Sequence, residues 1–62
     1  MYDRILIVED EAINAMWLEM ELSQAGHTVV ATVADGAEAV RVARDEKPDV
    51  VLMDIRLAGP MD

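Results

Sequence analysis

Ile5-Leu6-Ile7-Val8 and Val50-Val51-Leu52-Met53 are two aliphatic runs with no polar alternation. A strand wet on one face alternates apolar and polar side chains, whereas a strand covered on both faces reads as an unbroken apolar run. Two such runs in a short chain demand covering elements on both sides of one sheet. That requirement narrows the fold to alternating strands and helices.

The residues between the runs supply the covering. From about Ala12 to Ala25 the chain is rich in Ala, Leu, Met, Glu and Gln, with Ala15, Leu18, Leu22 and Ala25 at helical spacing. Gly26 follows the last periodic residue and predicts a left-handed stop. Thr28 to Val33 is β-branched with one alanine inside it and less greasy than the two outer runs, which suits a strand nearer the sheet edge. Ala34-Asp35-Gly36 reads as a turn, with Asp35 or Gly36 capping a second helix that runs to about Glu46. Its apolar face is small: Ala37, Ala39, Val40 and Ala43. Lys47-Pro48 ends it, since a residue before proline is pushed out of the helical region. The third strand is read as Asp49 to Met53, and Ile55 to Asp62, with Gly59-Pro60 inside it, as a loop.

Strands alternating with helices predict a βαβαβ unit and a parallel sheet. With right-handed crossovers, the strand order 2-1-3 places the helices on opposite faces and the first strand in the middle. An order 3-2-1 would separate Asp54 from Glu9 and Asp10 by a whole strand. In the order 2-1-3 these carboxylates gather at one edge, at the switch point where ligands of open α/β sheets bind.

Composition limits the function classes. The chain of 62 residues is one small domain, with 53% hydrophobic and 29% charged residues, the balance of a globular chain. It has no cysteine and a single histidine, which excludes disulfides and argues against a structural zinc site. Thirteen acidic against 5 basic residues give a net charge of -8, which repels a nucleic-acid backbone or an anionic membrane. No apolar run is long enough to span a bilayer, and Met1-Tyr2-Asp3 is no signal peptide; a soluble, cytoplasmic protein is expected.

Carboxylates gathered this closely repel one another unless a cation neutralises them or one takes up a proton. Oxygen donors with no nearby His or Cys select a hard ion, and an open site that retains waters suits Mg2+ better than calcium. Such a cation favours phosphoryl chemistry, with Asp54 as a candidate nucleophile forming an acyl phosphate. The competing reading makes Glu9, Asp10 and Glu11 solvated loop acids, or charges favouring the first helix dipole. Spacing alone does not choose between the two.

Three segments bear on the choice: Arg4-Ile5-Leu6-Ile7-Val8-Glu9-Asp10-Glu11, Ala34-Asp35-Gly36-Ala37-Glu38-Ala39, and Lys47 through Leu57. In this order and register they resemble the receiver domain of bacterial two-component response regulators. The resemblance implies a flavodoxin-like, doubly wound parallel sheet and a phosphoryl-accepting module rather than an enzyme. It implies that Asp54 is the phosphoacceptor, that Asp10 and Asp54 hold Mg2+ directly, that the Arg56 backbone carbonyl adds a ligand, and that Glu9 acts through water. The implied partners are a sensor histidine kinase or phosphotransfer protein and an output domain or effector. Receivers have five strands, with a Ser or Thr after the fourth and a Lys after the fifth, none of which has a counterpart in these residues. Residues 1–62 are therefore read as a receiver truncated after the third strand and its following loop, expected to be phosphorylated slowly or not at all. The alternative is a fragment that is not phosphorylated and assembles through the edge of the third strand, by self-association.

Four further features carry two readings each. Ile13, Met16, Trp17 and Met20 add a second apolar surface to the first helix, either core packing or a partner surface. His27 follows the helix-ending glycine, outside any recognisable metal pattern. Arg56 is either a phosphoryl contact or a solvated loop residue, and Asn14, one turn beyond Asp10, is read as local polar packing.

Overall fold

A computed structural model describes residues 3 to 54. In chain order these form β1 (Arg4–Glu9), α1 (Ala12–Gln24), β2 (Thr28–Val33), α2 (Gly36–Glu46) and β3 (Val50–Asp54). The three strands make one parallel sheet in the order β2-β1-β3, as the acidic cluster requires. Every residue of β1 after Arg4 is buried, and Leu6, Ile7 and Val8 have essentially no exposed surface. Each such side chain contributes about 1.5–3 kcal/mol through burial, so the central strand is the main source of stability.

Because side chains alternate along a strand, Leu6 and Val8 face one side of the sheet and Ile5 and Ile7 the other. On the first side, Leu6, Val8, Val33 and Ala39 form a cluster, against which Val30, Ala31, Val42 and Ala43 pack. On the second, α1 covers β1 and β2 and buries Ala15. The β1–β2 register slips between Ile5, opposite Val29, and Leu6, opposite Ala31. That leaves Val30 as an extra residue, and the bulge lets both Val30 and Ala31 reach the α2 side.

The helix ends show why the elements stop where they do. Ala25 is the C-cap of α1, and Gly26 follows at φ 97°, a value open to glycine because it has no Cβ. The His27 N–H donates to the Leu22 carbonyl at 3.0 Å and the Gly26 N–H to that of Ser23 at 3.1 Å, bonds that close the last turn of the helix. At the start of α2, the Asp35 side chain accepts from the Glu38 N–H at 2.8 Å. Lys47 ends α2 outside the right-handed helical region, as the following proline leads one to expect: it sits in the left-handed region at φ 50°, where its N–H donates to the Ala43 carbonyl at 2.9 Å.

Other boundaries and faces differ from expectation. β1 runs one residue further, taking Glu9 into the sheet, and β3 is shifted by one, from Val50 to Asp54. Asp49 is held outside β3 as a bracket on the central strand: its Oδ2 accepts from the Arg4 N–H at 2.9 Å, and its own N–H donates to the Arg4 carbonyl at 2.8 Å. Of the face expected for α1, Ala15 is buried and Leu18 and Leu22 half-buried, but Ala25 is exposed because it lies past the last turn. Of that expected for α2, Ala39 and Ala43 turn inward with Val42, while Ala37 and Val40 are exposed. The cause is placement: among the described residues, α2 lies mainly over β2 and β1 rather than over β3. An open apolar groove of about 670 Å³ results, lined by Ala39, Val40 and Ala43 on one side and Val51, Leu52 and Met53 on the other.

Candidate functional site

The carboxyl ends of all three parallel strands lie at one edge, and the chain enters both helices from that edge. Glu9 is the last residue of β1 and pairs in register with Asp54, the last residue of β3. Neighbouring strands are about 4.8 Å apart, so the backbone brings these two acidic positions side by side, with Asp10 next along the chain. The helix N-termini at this edge contribute partial positive charge, which lowers the cost of gathering acids there.

Glu9 and Asp10 sit in different surroundings. The Glu9 side chain is 3% exposed, and its Oε2 accepts the Glu11 N–H at 2.9 Å. A buried carboxylate needs such donors, because desolvating an ionised group is costly. Asp10 is exposed and lines two clefts. One, of about 300 Å³, lies between the start of α1 and the end of β2 and is shared with Glu9, Glu19 and Thr32. The other, of about 170 Å³, is shared with Val8, Ala34, Asp35 and Gly36. Glu11 occupies the N-cap position of α1 without capping it; its Oε1 instead accepts from Asn14 Nδ2 at 2.6 Å. Asn14 is thus packed locally beside the site, in line with the sequence reading.

The donors at this edge suit a hard cation, since they are carboxylate oxygens and the single histidine lies elsewhere. His27 precedes β2 at the opposite end of the sheet, with Nδ1 at 3.5 Å from Asp3 Oδ2. Among the described residues, no three His, Cys, Asp or Glu side chains come together as a metal-binding group. The side chain of Asp54 and the whole of Arg56 lie outside the described residues, so the structure brings together Glu9, Asp10 and the backbone position of Asp54.

Sequence reasoning missed two participants. Sequence alone gives Asp35 as a helix cap, yet it shares the smaller cleft with Asp10. The parallel topology carried that signal, because the residues after β2 must emerge at the same edge as those after β1. The Glu11 N–H that binds Glu9 could not have been found, since the conformation of a two-residue β-α connection leaves no mark in residue type.

The chain is 44% identical over 54 residues to the transcriptional regulatory protein PdtaR of Mycobacterium tuberculosis, covering 87% of this chain and 26% of that protein. It is 46% identical over 56 residues to protein PilH of Pseudomonas aeruginosa, covering 90% of this chain and 46% of that protein. It is 40% identical over 57 residues to the chemotaxis protein CheY of Thermotoga maritima, covering 92% of this chain and 48% of that protein. The chain thus spans less than half the length of each of these relatives. Residues 5–62 match the response regulator receiver domain, and the chain belongs to that family.

Proposed function

We propose that this chain is a phosphoryl-accepting receiver module of two-component signalling, in which Asp54 takes a phosphoryl group from a histidine kinase or phosphotransfer protein. The observation that carries the reading is the register pairing of Glu9 with Asp54 on adjacent parallel strands, with Asp10 exposed beside them. One Asp54 carboxylate oxygen attacks phosphorus; a P–O bond forms as the donor P–N bond breaks, and the electron pair leaves on the donor imidazole. The module accepts one group and carries it, so it is a switch rather than an enzyme. Asp10 and Asp54, with the Arg56 carbonyl, would hold Mg2+, and Glu9 would support it through water. When bound, that ion offsets negative charge on the transferring oxygens. The charge gained at Asp54 would then alter the surface offered to an output domain or effector.

Incubation with acetyl phosphate, followed by intact mass, tests this reading. Slow, Mg2+-dependent gain of one phosphoryl group is expected on the wild-type chain and none on Asp54→Asn. Gain that persists in Asp54→Asn overturns the assignment. So does a wild-type chain that neither gains mass nor binds Mg2+ in calorimetry.

A second reading rests on β3. Among the described residues it pairs with a strand on one side only, and Val50, Val51 and Met53 are 43–54% exposed. An apolar edge of this kind is a template for self-association through an added strand. A monomer mass held over a wide concentration range rules it out.

A further inference from the structure

α1 carries an apolar face that its packing on the sheet does not use. Ala15, Leu18 and Leu22 turn toward the sheet, whereas Ile13, Met16, Trp17 and Met20 follow one another at helical spacing on the opposite side. These four are 81%, 69%, 56% and 52% exposed. A face that points directly away from the sheet is not covered by widening the sheet. The second open surface is the groove between α2 and β3, where Val40, Val51 and Met53 are 59%, 44% and 54% exposed. It is a strip of sheet beside a helix, the surface on which a further helix packs.

Charge decides which helix fits. On α1, Glu19 stands three residues after Met16 and Glu21 four after Trp17, so the apolar rows run into acids, and the helix holds no basic residue. On α2, Arg44 stands four residues after Val40 and Lys47 four after Ala43, so the rows that line the groove run into cations. All four charged residues are exposed, and none of them makes an ion pair among the described residues.

We infer that α1 of one chain docks in the α2–β3 groove of a second copy, with its apolar stripe on Val40, Val51 and Met53 and its Glu19 and Glu21 beside Arg44 and Lys47. Charge also sets the direction: α1 lies parallel to the receiving α2, because the reverse would bring Glu19 and Glu21 to the acidic edge of the sheet. The net charge of -8 opposes approach at long range, but in about 0.15 M salt that repulsion is screened beyond about 8 Å, while the contacting rows are opposite in sign. The two faces lie on opposite sides of the sheet, so the contact does not close on itself and chains add head to tail.

The chain has no cysteine, so single introduced cysteines report the contact on the full chain. Met16→Cys and Val40→Cys, both at exposed positions, are mixed and oxidised, with far-UV circular dichroism checking each fold. The mixed dimer, told from either homodimer by intact mass, should exceed its statistical share. In sedimentation equilibrium, size should grow with concentration instead of stopping at a dimer. Arg44→Glu should weaken association by about 10-fold or more, and adding Glu21→Arg to it should restore association. A statistical mixture of disulfides overturns the inference, as does failure of Glu21→Arg to restore what Arg44→Glu removes. Association unchanged in Arg44→Glu places the contact elsewhere, as at the β3 edge, and overturns it too. A chain that stays monomeric up to about 1 mM leaves both faces to other proteins and overturns it as well.

Discussion

Asp35 and Lys47 bracket α2 and show how single residues set an element's limits. Asp35 satisfies the Glu38 N–H, so Asp35→Ala should cost about 1 kcal/mol in urea unfolding, the usual worth of an N-cap. Lys47 holds a left-handed conformation that costs a side-chain-bearing residue about 1–2 kcal/mol. Glycine removes that cost while losing about 0.5–1 kcal/mol to its extra freedom in the unfolded chain. Lys47→Gly should therefore raise stability by about 0.5 kcal/mol, and a lower urea midpoint would count against the argument. The cap at Asp35 was legible because Asp before Gly is a turn signal with a mechanism. The conformation of Lys47 was not: the rule for residues before proline excludes a right-handed helix there, and the Ala43 carbonyl then selects the left-handed alternative.

At the scale of elements, the sequence was most informative where burial is complete. The unbroken run Ile5 to Val8 announced a central strand and the milder Thr28 to Val33 an edge. Val50 to Met53, equally unbroken, lies at the other edge of the described sheet with Val50, Val51 and Met53 exposed, so an apolar run does not by itself count covered faces. Helix faces were harder to read, since α2 is narrow and its orientation depends on which strands lie beneath it. Val40 fits the helical pattern yet is 59% exposed over the groove toward β3. The second apolar surface of α1 is likewise open, with Ile13 81% and Met16 69% exposed. The bulge at Val30 was illegible, because it adds a residue without altering residue type. Exposure on β3 gives a prediction at this scale. Val51 is 44% exposed on an edge strand, so Val51→Lys should lower any concentration-dependent association seen by sedimentation, while changing stability by no more than about 0.5 kcal/mol. Unchanged association would mean that β3 is not the contact.

For the molecule as a whole, charge is the least balanced property. A net charge of -8 on 62 residues opposes the compact state through self-repulsion, and the acids at the carboxyl edge of the sheet concentrate it. Screening should therefore stabilise: raising NaCl from about 0.01 M to 0.15 M shortens the Debye length from about 30 Å to about 8 Å and should raise the melting temperature by several degrees. Site and fold were legible together at this scale, since the gathering of acids selected the strand order, and the order in turn placed Glu9 beside Asp54. The hydrogen bond that orients Glu9 depends on the backbone conformation of the turn after β1, which residue type does not encode.

The position of β1 carries a consequence for how the chain is made. The middle strand leaves the ribosome ahead of both its neighbours, and its second edge is closed only when residues 50–54 follow. For the time needed to add some forty residues, about 2–8 s at ordinary elongation rates, Ile5 to Val8 lack one of their two flanking strands. The greasiest segment of the sheet is thus a natural place for chaperones to hold a nascent chain, and slow codons ahead of Val50 would lengthen that hold.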